Sequence, residues 1–320
     1  MVKSGRFFLL IVVCVLLVLM VIHPQRYIDS AMEGIEIFTF SVLPALFPFF
    51  VLTRLFTALG GDRFLSKYSK GIVKKLYGAP SIAGSISLLS MLSGYPIGAK
   101  MVSDNYKNGI IDLESTKRII TFTSTSGPLF ILGTIGIKFL NDYKAGATIL
   151  AVHLLSAVLN GVIFKMVDNH QSADDTLAIA TSDDFYREAI DSSITAILQV
   201  CGSIVILNMV ISALTDFNII SFISKSISAF GVNMPVADGV AVGLVEITKG
   251  VKVISEAGIK IKDTIVPISV IVSFGGCSVA MQSMVFLRSC GIKTSYYFVT
   301  KLSQAVISYI LSSIVVALMY

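Results

Sequence analysis

The chain has 320 residues, of which 54% are hydrophobic and 14% charged, with a formal net charge of +5 and a mean hydropathy of +0.83. Soluble domains are about 25% charged, so these few charges cannot cover a water-facing surface, and the composition excludes a secreted domain, a cytosolic enzyme and a nucleic-acid-binding module. Much of the positive excess is gathered in Arg63, Lys67, Lys70, Lys74 and Lys75 between apolar segments, which reads as a topology signal.

The first apolar run, Phe7 to Ile22, follows Lys3 and Arg6 and leads into His23-Pro24-Gln25-Arg26, which offers no small-residue cleavage site. A retained anchor helix is expected over residues 1–27. Spans are predicted next at Ala31 to Leu59, Ile119 to Phe139 and Gly146 to Val167, and, after an acidic linker at 168–184 containing Asp174, Asp175, Asp183 and Asp184, at Ala189 to Leu214, Thr264 to Leu287 and Tyr296 to Met319. Two further apolar stretches are interrupted in the middle. Pro80 to Met101 breaks at Ser93-Gly94-Tyr95-Pro96, and Pro235 to Ile254 at Glu246-Ile247-Thr248-Lys249-Gly250. Halves this short do not cross a bilayer, so both read as re-entrant hairpins. The expected fold is an all-α polytopic membrane protein with about seven transmembrane helices and two re-entrant hairpins.

Residues 28–167 and 185–320 can be laid over one another as two repeats. Lys100 closing G-A-K meets Lys252 closing G-V-K, Ser124-Thr125-Ser126-Gly127-Pro128 meets Phe274-Gly275-Gly276-Cys277-Ser278, and Gly136-Ile137-Lys138 meets Gly291-Ile292-Lys293, each about 150 residues apart. Three full spans and one returning hairpin per half invert the second half relative to the first, the plan of secondary transporters. The basic residues near span ends place the N-terminus and the Arg63–Lys75 stretch inside and the C-terminus outside.

The polar residues inside these segments carry any chemistry. Ser93, Gly94, Tyr95, Gly98 and Lys100 lie in S-G-Y-P-I-G-A-K, where exposed helix N–H groups and an ammonium suit an anion, although a tight turn with a snorkelling lysine has the same pattern. Ser124, Thr125, Ser126 and Gly127 precede Pro128, and Gly275, Gly276 and Ser278 form the matching break. Their hydroxyls and freed backbone groups can hold a substrate or satisfy a kink. Glu246, with Thr248 and Lys249, is expected either to couple H+ or Na+ or to form an i, i+3 ion pair with Lys249. His153 and Asn160 share a helical face and read as an interhelical hydrogen-bonding pair or a proton relay, and Gln199, Asn208 and Gln304 as packing contacts. The cysteines Cys14, Cys201, Cys277 and Cys290 and the three histidines show no metal-ligand or disulfide spacing. No nucleophile setting is present, so neither catalysis nor a metal or other cofactor is expected.

At Val42-Leu43-Pro44-Ala45-Leu46-Phe47-Pro48-Phe49-Phe50, Ser93 to Lys100, Ser126-Gly127-Pro128-Leu129-Phe130-Ile131 and Gly243 to Gly250 (G-L-V-E-I-T-K-G), the chain resembles a family of sporulation integral membrane proteins. That family belongs with the nucleoside-recognition or Gate proteins, themselves similar to concentrative nucleoside transporters. The resemblance implies two hairpins and two broken helices around a central site. It further implies an endospore-forming bacterium and movement of dipicolinic acid, a dicarboxylate anion, from the mother cell across the outer forespore membrane. The partners implied are this small molecule, the lipid bilayer and a coupling H+ or Na+, with homo-oligomer formation left open and no nucleic acid. A nucleoside or other metabolite symporter shares this architecture, and a non-transporting spore-maturation scaffold would leave Glu246 and Lys100 dispensable.

Overall fold

A computed structural model describes residues 2–167 and 184–320; the acidic linker lies outside them except for Asp184. Among the described residues every regular element is a helix, as an apolar solvent that cannot pair backbone groups requires. After α1 (Val2–Ile22), α2 (Pro24–Ile37) runs through a wide π-helical turn, Phe38–Val42, into α3 (Leu43–Ala58). In an α-helix the ring of Pro44 would clash with the carbonyl four residues back, and a widened turn at that point relieves it. The loosened carbonyls find side-chain donors, Lys138 Nζ reaching Phe40 O at 2.7 Å and Thr134 Oγ1 reaching Ser41 O at 2.8 Å.

The basic stretch between the apolar segments is an amphipathic helix, α4 (Gly61–Tyr77), which buries Ser66, Val73 and Tyr77. Its Lys74 and Lys75 sit in the last turn, where the helix dipole favours cations, and Gly78 ends it in the left-handed region at φ +61°. A bend of 93° leads into α5 (Ile82–Ser93), which folds back as α6 (Ile97–Lys107). The carboxylate of Asp112 accepts a bond from Ser115 N at 2.7 Å and so starts α7 (Leu113–Thr123). That helix breaks at Ser124 and resumes as a π-helix, Phe130–Phe139, before α8 (Tyr143–Val167).

The second half has the same order. It runs through α9 (Phe185–Asp216), the short α10 (Ile219–Ser228), a hairpin of α11 (Met234–Gly243) and α12 (Ile247–Ser255), a broken pair of α13 (Ile261–Phe274) and α14 (Gly276–Leu287), and α15 (Thr294–Met319). The packing between halves is reciprocal. The returning hairpin helix of each half packs on the second piece of the other half's broken helix, α6 on α14 and α12 on Phe130–Phe139. Likewise α7 packs on α15 and α13 on α8, while α8 packs on α15 and α3 on α9.

Among the described residues five stretches are long and apolar enough to cross a membrane, Pro24–Ala58, Tyr143–Val167, Phe185–Asp216, Ile261–Cys290 and Thr294–Met319, with a sixth if the bent α4–α5 pair counts as one. The predicted span at Ile119 to Phe139 falls short of this because its break leaves two short helices.

Contacts at the ends of α8 fix which elements share a face. Near its end Lys165 Nζ bonds Lys75 O and Phe164 meets Tyr296, whereas at its start Lys144 Nζ lies 4.4 Å from the Tyr320 ring. The end of α4 and the C-terminus are therefore separated by the length of α8, 25 residues or about 37 Å. In a cysteine-free background, Lys67→Cys and Tyr320→Cys should be labelled by an impermeant thiol reagent from opposite faces of the membrane, and labelling of both from one face would contradict this arrangement.

The second hairpin closes on glycine. A Cβ at Gly250 would lie 2.3 Å from Gly243 Cα, whereas one at Gly71 on the exposed face of α4 would meet nothing within 4 Å. Gly250→Ala should therefore lower stability by about 1–3 kcal/mol, the usual cost of overpacking, read as a depressed melting temperature in detergent. Gly71→Ala should leave it unchanged or raise it.

Candidate functional site

Each hairpin tip is pressed against the break in its own half. At the first, Gly94 has φ +80°, and a Cβ there would stand 2.5 Å from Gly127 N. The seam continues through Ser90, whose hydroxyl donates to Thr123 O, a carbonyl freed where α7 ends, and through Ser93, bonded to Thr53. Gly98 lets the returning helix in, since its Cβ would fall 2.4 Å from both Ser90 Oγ and Thr123 O. At the second, Cys277 N donates to Leu244 O at 2.9 Å and Ser278 N to Val245 O at 3.0 Å. These bonds occupy N–H groups that the start of α14 leaves unpaired. Gly275 and Gly276 both have positive φ, and a Cβ on Gly276 would meet Gly243 O at 2.7 Å.

Between the two seams is a cavity of about 40 Å³, lined by Tyr95, Ser126 and Gly127 from the first half and Glu246, Thr248, Ser278 and Gln282 from the second, with apolar walls that include Leu46 and Phe130. Glu246 is 1% exposed. Its carboxylate caps α12 by accepting Lys249 N at 2.7 Å. The expected ion pair within this segment does not form, because Lys249 Nζ turns to Glu33 on α2, 2.7 Å away. Sequence spacing allowed the i, i+3 pair, but capping aims the Glu246 carboxylate at the backbone.

Tyr95, Ser126, Gly127, Glu246, Thr248 and Ser278 are thus brought together, with Ser93, Gly94, Gly98, Gly275 and Gly276 forming the seams behind them. Thr125 is fully buried with its hydroxyl unpartnered. Lys100 stands apart, on a second, open cavity of about 720 Å³, 3.4 Å from Asp104. Arg54 shares that cavity; its Nη1 is 3.8 Å from Asp104, while Nε and Nη2 are buried without a hydrogen-bond partner.

Behind the first tip is a polar network that the sequence reading missed. Lys301 on α15 is 1% exposed, and its ammonium donates to Tyr95 Oη at 2.8 Å, Ser124 O at 2.8 Å and Gln304 Oε1 at 2.6 Å. Tyr297 Oη joins Ser124 Oγ at 2.7 Å and donates to Ser283 Oγ at 3.1 Å. His153 Nε2 accepts from Ser126 N at 2.9 Å, which assigns the ring proton to Nδ1, facing Ser273 Oγ at 3.0 Å. His153 does not pair with Asn160, whose amide donates to Thr121 O and Thr300 O. One signal was available, a lysine inside the predicted span Tyr296 to Met319 with Gln304 one turn on, since an intramembrane ionisable group is functional by default.

These features define an integral membrane protein of the all-α polytopic class, with paired helical hairpins and broken helices meeting at a shared cavity. Over 310 residues, 89% of this chain and 76% of the other, it is 24% identical to the sporulation integral membrane protein YlbJ of Bacillus subtilis (strain 168). No family model matches the chain, and no solved structure matches it.

Tyr297→Phe keeps the ring and strands the Ser124 and Ser283 hydroxyls, which should cost about 1–3 kcal/mol and lower the melting temperature in detergent. Tyr309→Phe, at a 56% exposed position, should have no such effect.

Proposed function

We propose that the protein is a secondary-transporter-like carrier of sporulation that moves dipicolinate, or a closely similar dicarboxylate anion, from the mother cell across the outer forespore membrane. The observation that carries this reading is the cavity bounded by both hairpin tips and both helix breaks, the place where alternating-access carriers of this plan hold substrate. The likeness to a sporulation membrane protein supports the setting, and the nucleoside-recognition resemblance supports the carrier plan.

A cavity of about 40 Å³ has room for roughly three waters, so an aromatic dicarboxylate enters only when a tip leaves its break. The two seams are then the gates. Opening the first exposes Gly94 to Gly98, and opening the second exposes Glu246. Glu246 is the coupling group of this scheme: its carboxylate repels an anionic substrate until it takes up H+ or is screened by Na+, which ties substrate entry to the ion. The Thr248 hydroxyl completes that ion site, while Lys249 anchors the hairpin to α2. Arg54 and Lys100 line the open cavity around Asp104, with Arg63, Asp62 and Glu188 nearby, and offer an anion two cations on its way to the central site. The protein acts without catalysis or cofactor.

Reconstituted liposomes should accumulate labelled dipicolinate, not nucleosides, under an imposed ion gradient. Glu246→Gln should retain exchange and lose gradient-driven accumulation at normal membrane abundance; preferential uptake of nucleosides, or unaltered accumulation by Glu246→Gln, would reject the scheme. Lys100→Met should slow uptake about tenfold at low ionic strength and much less at high salt, where steering is screened.

A further inference from the structure

Lys301 is a cation in the wrong place for a structural residue. It lies within a membrane-spanning helix, it is buried, and all three of its hydrogen-bond acceptors are neutral. Among the described residues no carboxylate forms an ion pair with it. The titratable groups around it are Tyr95 from the hairpin tip, Tyr297 one turn earlier on α15, and His153 from α8. Other ionisable groups on the neighbouring helices are engaged elsewhere or lie at helix ends, Arg118 at Tyr77 O, Lys117 at Glu114, Lys165 at Lys75 O, and Lys262 and Asp263 in the first turn of α13. A buried charge ordinarily has a counter-ion. Among the described residues there is none, and a carboxylate brought by a ligand would hold the side chain in its charged form.

The second observation is where its contacts lead. Tyr95 receives a hydrogen bond from the ammonium and also lines the central cavity. A phenol has one proton to donate, and the Tyr95 hydroxyl gives its proton to no acceptor among the described residues. Accepting from an ammonium polarises the O–H and strengthens it as a donor. The cavity is therefore bordered by an unspent donor backed by a buried lysine that has no carboxylate partner among the described residues.

We infer that Lys301 is the positioning residue that makes the central cavity selective for carboxylates, acting through the Tyr95 hydroxyl, with a substrate carboxylate as the missing counter-ion. This rests on the carrier reading for the location of the site, and it gives that reading its specificity. Glu246 faces the same cavity, so a carboxylate is held at the Tyr95 side, in the first half, with the coupling ion at the Glu246 side, in the second.

The test is binding in detergent, which needs no transport and so separates this inference from the carrier reading. The probes are pyridine-2,6-dicarboxylate and its neutral diamide, measured by equilibrium dialysis against wild type, Lys301→Gln, Lys301→Arg and Tyr95→Phe, with melting temperatures taken in parallel. Wild type should favour the dicarboxylate. Lys301→Gln and Tyr95→Phe should each weaken dicarboxylate binding about ten- to a hundredfold, the range of a charge-assisted hydrogen bond, and leave the diamide within about twofold of its wild-type affinity. Lys301→Arg, which keeps the charge, should recover part of the preference. Equal losses for both probes would assign Lys301 a merely structural role and overturn the inference, as would a wild type that binds the dicarboxylate no better than the diamide. If Lys301→Gln does not fold, Tyr95→Phe decides by the same ratio. Dicarboxylate binding with this pattern but no uptake in liposomes would reject the carrier reading and leave the site standing.

Discussion

In a hydrocarbon solvent a helix cannot be interrupted unless the protein itself bonds the groups that the interruption frees. That requirement runs through every unusual feature of this molecule. Thr123 O is taken by Ser90, the first N–H groups of α14 by the carbonyls of Leu244 and Val245, and the carbonyls of Phe40 and Ser41 by Lys138 and Thr134. Each hairpin tip is thus the hydrogen-bonding partner of a broken helix, and neither piece would be stable in a membrane without the other. A tip that moves must exchange those bonds for new ones, either with water admitted to the cavity or with a ligand.

The ionisable groups obey the same logic with larger penalties. Glu246 is buried but meets the N–H groups at the start of α12, where the helix dipole favours a negative charge. Lys249, next to it, is engaged by Glu33 from α2 and so ties the second hairpin to the first half. Lys301 ties the first tip to the second half, through Tyr95 and Ser124. The two halves are therefore cross-linked by lysines at both hairpins, and a change at one tip is felt in the opposite half through a charged contact rather than through apolar packing alone.

Reciprocal packing completes the arrangement. With α6 on α14 and α12 on Phe130–Phe139, each returning hairpin helix leans on the far piece of the other half's broken helix. Neither seam can open without disturbing a surface belonging to the other half.

Composition alone established the solvent, and interruption by glycine and proline established where the chain breaks, because a missing N–H or a positive φ is a local property of the residue. Gly94, Gly275 and Gly276 were legible for that reason, Gly127 through the Pro128 that follows it, and Glu246 because a lone acid in an apolar stretch is costly anywhere. The lysines of α4 carry a topology signal in the sequence, and their place on one exposed face of a helix is a finding of the structure. Partnership was not legible at all. Lys100 and Lys301 are both lysines near apolar sequence, yet one faces an open vestibule and the other is fully buried behind the central cavity. Lys249 could have paired with Glu246 by spacing, and pairs with Glu33 from a distant helix instead. Which side chains meet depends on how helices far apart in sequence cross, and only the tertiary structure decides that, since a buried charge is satisfied by whatever group the packing brings within reach.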